Sequence, residues 1–216
     1  MTDKNPKLLK GMAAGWINIG LSLAPHKSSG KNVCSHASPI CIRACLNTAG
    51  RGRMDSAQNA RIRRTVLFRE DPETFWSHVR HDIDRSFKKS DKVCVRMNVY
   101  SDLPWENIEV SGAGSSIMEC YPLVQFYDYT KVPGRIVEGN YHLTFSLSET
   151  NEVAARKEME LGKNLAVVFR EKPSEFWGVP VIDGDKNDLR FLDVSPAVVG
   201  LTPKGRMVHD TGGFVR

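Results

Sequence analysis

No apolar run in these 216 residues approaches the ~20 residues that a membrane-crossing helix needs; "LAVVF" (165–169) is typical of the longest. No stretch has the Pro, Gly or Ser content of a linker, nothing repeats and no low-complexity tract occurs, so one domain over residues 1–216 is expected. The amino terminus carries early lysines, but Asn18, Gly20 and Ser22 break its apolar part and no small-residue cleavage site follows. It reads as mature protein, and a cytoplasmic location with no membrane partner is expected. G-x-S-x-G, the phosphate loop and H-E-x-x-H are all absent, which removes support for those hydrolase and NTPase classes. "DGDKND" (183–188) lacks the terminal glutamate of a calcium loop and reads as a turn.

What is present begins with an alternation of strand-like and helix-like segments. "WINIGLSLA" (16–24), "KVCVRMNVYSD" (92–102), "VQFYDYTK" (124–131), "YHLTFSLSE" (141–149), "NLAVVFR" (164–170), "VPVIDGD" (179–185) and "AVVGLTP" (197–203) read as strands. Between them, Ser38-Pro39 starts a helix that Gly50 can stop. A basic helix is expected over 54–69, and Asp71-Pro72 opens another with Trp76, Val79, Ile83 and Phe87 on one face. "TNEVAARKEMELG" forms a further helix, with Thr150 as its N-cap and Gly162 as its stop. Alternation of this kind predicts an α/β fold with a largely parallel sheet.

A parallel strand buried on both faces should be almost continuously apolar. These strands are not. Tyr141, Leu143, Phe145 and Leu147 oppose His142, Thr144, Ser146 and Ser148, and Val95, Met97 and Val99 oppose Cys94, Arg96, Asn98 and Tyr100. An antiparallel sheet with one wet face would show the same pattern, but the intervening helices favour parallel crossovers. The expectation is therefore an open or partial (β/α) barrel of about six mostly parallel strands, whose polar face lines a cavity. Arg96, Asn98, Asp128, His142 and Ser146 are its candidate ligand-binding residues. Asp102, Asp128, Lys131, Ser148 and Glu149 fall near strand carboxyl ends, where α/β sheets place their ligands, and Lys204 and Arg206 follow the last strand.

"VCSHASPICIRACLN" (33–47) packs three of the five cysteines into C-x6-C-x3-C, after the first strand. On a helix starting at Pro39, Cys41 and Cys45 would lie one turn apart, with Cys34 folding back from the preceding loop. Three readings stay open: small buried hydrophobes; zinc held with His36, although the usual C-x2–4-C knuckle is missing; or an iron–sulfur cluster of the 4Fe-4S type. The clustering around a helix start favours iron–sulfur. A fourth ligand would be Cys94, Cys120, His36 or an exogenous group.

The cysteine triplet between the first strand and first helix resembles the arrangement in radical-SAM enzymes. More closely, "CSHASPICIRACLNTAGR", "VRMNVYSD", "FYDYTK" and "YHLTFSLSE" resemble the phage-encoded gene-product-88-like proteins over roughly residues 15–205. The resemblance implies a phage-type protein in the host cytoplasm, with cluster ligands Cys34, Cys41 and Cys45; as an enzyme, its open iron would bind a small ligand such as S-adenosylmethionine in the polar cavity. The usual radical-SAM spacing is C-x3-C-x2-C, and no glycine-glycine-glutamate segment is present here.

The net charge of +5 adds a competing expectation. Arg51, Arg53, Arg61 and Arg64 follow the cysteines and would meet the phosphates of a nucleic acid. A non-catalytic nucleic-acid-binding protein with a structural cluster or zinc is thus the alternative to a small-molecule site.

Overall fold

Asn18 and Cys94 are partners across the first two strands, Arg96 lies beside Gly20, and Tyr127 lies beside His142: in-register polar neighbours on one sheet face. This computed structural model describes residues 1, 8 and 14–216. The amino-terminal stretch read above for a signal peptide lies largely outside the described residues. The strands are β1 (Ile17–Gly20), β2 (Val93–Arg96), β3 (Gln125–Thr130), β4 (Tyr141–Ser146), β5 (Leu165–Val168), β6 (Glu175–Phe176), β7 (Val179–Asp183) and β8 (Val198–Leu201). They form one sheet in the order β1-β2-β3-β4-β5-β8-β7-β6. Every neighbouring pair is parallel except β6 and β7, and the sheet does not close.

The count of about six strands is corrected to eight. β6 is only two residues long, and it pairs with β7 through a two-residue turn. Trp177 and Gly178 both take positive φ there (54° and 82°), as a tight hairpin of right-handed twist requires. So short a strand has no alternation to read.

Among the described residues from Gly15 onward, five α-helices accompany the sheet: α1 (Pro39–Arg43), α2 (Asp55–Glu70), α3 (Pro72–Phe87), α4 (Ile117–Cys120) and α5 (Glu152–Glu160). The apolar strand positions and α3 share one core, with Ile19, Val95, Met97, Phe126 and Leu143 meeting Phe75, Trp76, Val79 and Ile83. Burying one such side chain contributes roughly 1.5–3 kcal/mol. A second core joins Phe145, Leu147 and Val167 to Ala155 of α5. Asp71 caps α3 by accepting from Thr74 N, as its Asp-Pro start predicts. The cap of α5 is Asn151, not Thr150.

The first helix is shorter than expected. It ends at Arg43, and Cys45 is extended (φ −52°, ψ 135°) before a 3-10 turn over Leu46–Thr48. Gln58 of α2 holds the link that follows: its Nε2 donates to the carbonyls of Asn47 and Gly52. Cys41 and Cys45 therefore do not share one helix face. Among the described residues no helix is long and apolar enough to cross a membrane.

Candidate functional site

Part of the polar sheet face is filled: Asp188 accepts from Arg96 Nη1 (2.8 Å), Tyr127 Oη (3.3 Å) and Tyr129 Oη (3.4 Å), while Phe191 packs on Trp16 and Tyr127. Asp188 arrives from "DGDKND", so this turn leads into a buried ion pair that its acidic composition did not announce. Toward the carboxyl ends of the strands the face opens into a cavity of about 360 Å³. Cys34, Cys41 and Cys45 all line it, together with Arg96, Asn98, Lys131 and Ser146.

Each cysteine reaches the cavity by a different route. Cys34 bridges to Asp102 beyond the end of β2, with Asp102 N donating to Val33 O at 2.8 Å. Its Sγ accepts from His26 N at 3.3 Å. Cys41 lies in α1, whose start is tied down twice by Glu149 just past β4. One Glu149 oxygen accepts from Ser38 Oγ (2.6 Å) and the other from Ile40 N (3.0 Å). Ser38 Oγ in turn accepts from Cys41 N. Cys45 stands in the extended link after α1, where its carbonyl accepts from Thr48 N and Oγ1.

All five cysteines are free thiols. Burial pushes the Cys34 thiol up to about 12, and the nearby Asp102, Cys45 and Cys41 push it the same way. Burial also raises Cys45, opposed in part by the positive charges of Lys131 and Arg61. At neutral pH Cys34 is thus protonated, and a metal that ligates it must displace the proton. Among the described residues, no three His, Cys, Asp or Glu side chains gather closely enough to hold one metal ion. His36 is exposed and paired with Ser35 Oγ through Nδ1 (2.9 Å), and Cys94 is buried under Leu189 and Tyr127.

Of the other expected ligand-binding residues, Arg96, Asn98 and Ser146 line the cavity and two do not. Asp128 is fully buried on the helix-covered face, accepting from Asn98 N (2.6 Å) and Tyr141 Oη (2.8 Å). It shares strand parity with Phe126, which lies in the apolar core. His142 is half-buried away from the cavity lining, where burial and Arg190 lower its pKa. Asn98 reaches the lining, but its side chain is committed to the fold: Oδ1 accepts from Ser101, Leu103 N and Trp105 Nε1.

The arginines also separate. Arg51 and Arg53 are exposed in the 3-10 turn before α2. Arg61 is buried, donates to the Gly52 carbonyl, and lies over the Tyr100 ring at 4.8 Å. Arg64 donates to the Ser22 carbonyl (3.2 Å). Two of the four thus hold the α2 segment to the sheet rather than face solvent.

Sequence reasoning missed the wall formed by the carboxyl-terminal segment. Val215 bridges to Val168, Arg216 N donates to Val168 O, and Phe214 lines the cavity. Asp210 fixes this segment by accepting from the backbone N–H groups of Gly212, Phe214 and Val215. "GGFV" carries no strand-like alternation that would have marked it.

No curated protein and no solved structure matches the chain. The family model described as gene product 88 matches residues 1–216, the whole chain, so the protein belongs to the gene product 88 family of phage gene products.

Proposed function

We propose that this is a cytoplasmic iron–sulfur protein with a cluster on Cys34, Cys41 and Cys45, and that the adjoining cavity receives a small-molecule ligand. One observation carries the reading: three free thiols from three separate backbone segments line a single cavity at the carboxyl ends of parallel strands. The donor set fits such a group. A polynuclear cluster takes each thiolate on a different iron, so its ligands need not converge on one point as those of a single zinc must. The exposed and otherwise engaged His36 also weakens the zinc alternative. When bound, a cluster with three protein thiolates leaves one iron for a small ligand and supplies electron transfer to it.

The chain's own residues then have definite tasks. Glu149 and Ser38 fix α1, the Val33–Asp102 pairing fixes Cys34, and Gln58 fixes the link that carries Cys45. Arg96, held by Asp188, and Lys131 present positive charge to the cavity. S-adenosylmethionine is the proposed ligand, which would make the protein a divergent radical-SAM-like enzyme. An open run of seven consecutive parallel strands, β1-β2-β3-β4-β5-β8-β7, supports that finer reading. The inward placement of Arg61 and Arg64 argues for the small-molecule cavity over nucleic acid.

Electron paramagnetic resonance of anaerobically purified, reduced protein tests the proposal. A cluster signal that shifts on addition of S-adenosylmethionine, and disappears in C34A, C41A and C45A but persists in C120A, is expected. A signal indifferent to S-adenosylmethionine would remove the enzyme reading and leave a structural cluster.

A further inference from the structure

The charges lining the cavity are unequally matched. Arg96 is paired with Asp188 at 2.8 Å, and Lys204 with Asp185 at 2.7 Å. The lining carboxylate, Asp102, is occupied by Thr130 Oγ1 (2.7 Å) and Lys131 N (2.8 Å), with Arg135 Nη1 at 3.6 Å. Lys131 differs. Its ammonium donates to a neutral hydroxyl, Ser146 Oγ, at 3.0 Å and stands 5.4 Å from the centroid of the Phe214 ring. Among the described residues it has no carboxylate at ion-pairing distance.

A half-buried ammonium pays desolvation, and a hydroxyl and an aromatic face return only part of what a carboxylate would. Neighbours on β4 and in the carboxyl-terminal wall hold the lysine in place, so its charge remains directed at the cavity. We infer that the cavity's ligand carries an oxyanion, phosphate or carboxylate, seated on Lys131 beside Ser146 and Phe214. The inference rests on the cavity being a ligand site, but not on the cluster. A charge-assisted hydrogen bond from Lys131 would supply affinity, and Ser146 would orient the ammonium toward it.

Isothermal titration calorimetry with inorganic phosphate and, separately, malonate, at low ionic strength on anaerobically handled full-length protein, tests this. At least one probe is expected to bind with about one site per chain, at least tenfold more weakly in K131M and with retained affinity in K131R, as a charge-assisted hydrogen bond implies. Phosphate alone binding identifies a phosphate ligand, and malonate alone identifies a carboxylate; both support the inference. Failure of both probes, or wild-type affinity in K131M, overturns it. If K131M does not fold, S146A decides: weakened binding supports the seat, and unchanged binding overturns it. Iron and sulfide assayed on the same samples separate the two claims. Anion binding without a cluster overturns only the cluster, and a cluster without anion binding overturns only this inference.

Discussion

At the scale of single residues, two buried carboxylates show how charge is handled under the sheet. Asp188 and Arg96 form a pair with side chains 2% and 9% exposed, so neither charge has bulk water to fall back on. Removing one partner leaves the other buried and uncompensated, which typically costs about 3–5 kcal/mol. Asp188→Ala is expected to lose stability on that scale in urea unfolding, and a loss under ~1 kcal/mol would show that the pair is not desolvated in solution. Asp128 is the second case. Burial raises its pKa to about 7, against opposition from Arg96, Asn98 N and Tyr141. The folded state therefore binds a proton that the unfolded state has released above about pH 4. Stability is fully present below that pH and is lost as pH rises toward 7. The lowered carboxyls of Asp183, Asp185 and Asp210 act in the opposite sense below this window, the lowered imidazole of His142 opposes the decline within it, and Asp193, raised to about 6 by burial, adds to it. Urea unfolding between about pH 4.5 and 7.5 should show the decline. Asp128→Asn should make it shallower, leaving the part that Asp193 contributes, and an unchanged slope in that variant would assign the decline elsewhere.

At the scale of elements, α1 has only five residues and cannot hold itself together by its own hydrogen bonds. Its position depends on Ser38 as cap and on Glu149 as a clamp from the end of β4. Ser38→Ala should cost about 0.5–2 kcal/mol, the usual range for losing such a cap. Glu149→Ala should cost about 1–3 kcal/mol by leaving Ser38 Oγ and Ile40 N without their acceptor. Denaturant unfolding measures both, and both variants should also lower the metal content of the purified protein. Full metal content in both would show that the thiols are positioned without α1.

The same elements show what the sequence made legible. The start of α1 could be read because Ser38-Pro39 is a local signal. Its end could not, since no local stop signal stands at Ala44, and the link after Cys45 is held by Gln58 of α2. Asp128 was misassigned although its register was readable: it shares parity with Phe126, and its polarity outweighed the pattern. β1 to β5, β7 and β8 all alternate or carry apolar runs, whereas β6 depends on the Trp177-Gly178 turn and the edge of β7.

At the scale of the whole molecule, a parallel sheet with helices packed on its apolar face places loop residues at the carboxyl ends of its strands. The chain uses that end to collect groups far apart in sequence: Cys34 with Asp102, Glu149 with α1, and Lys131 with Ser146 and Phe214. The polar strand positions were readable as one face, but its division into a filled half and an open half was not. That division depends on Asp188 and Phe191 folding back over the sheet and on the carboxyl-terminal segment closing the opposite wall. Both are long-range contacts with no local sequence pattern.

The central claim is that three thiols on this cavity hold an iron–sulfur cluster. Its most direct test is iron, acid-labile sulfide and zinc analysis of the anaerobically purified wild type beside the C34A/C41A/C45A variant. The account predicts about four irons with matching sulfide per chain, the content of a cubane cluster, and neither in the triple variant. Zinc without sulfide, or iron and sulfide retained in the triple variant, would contradict it.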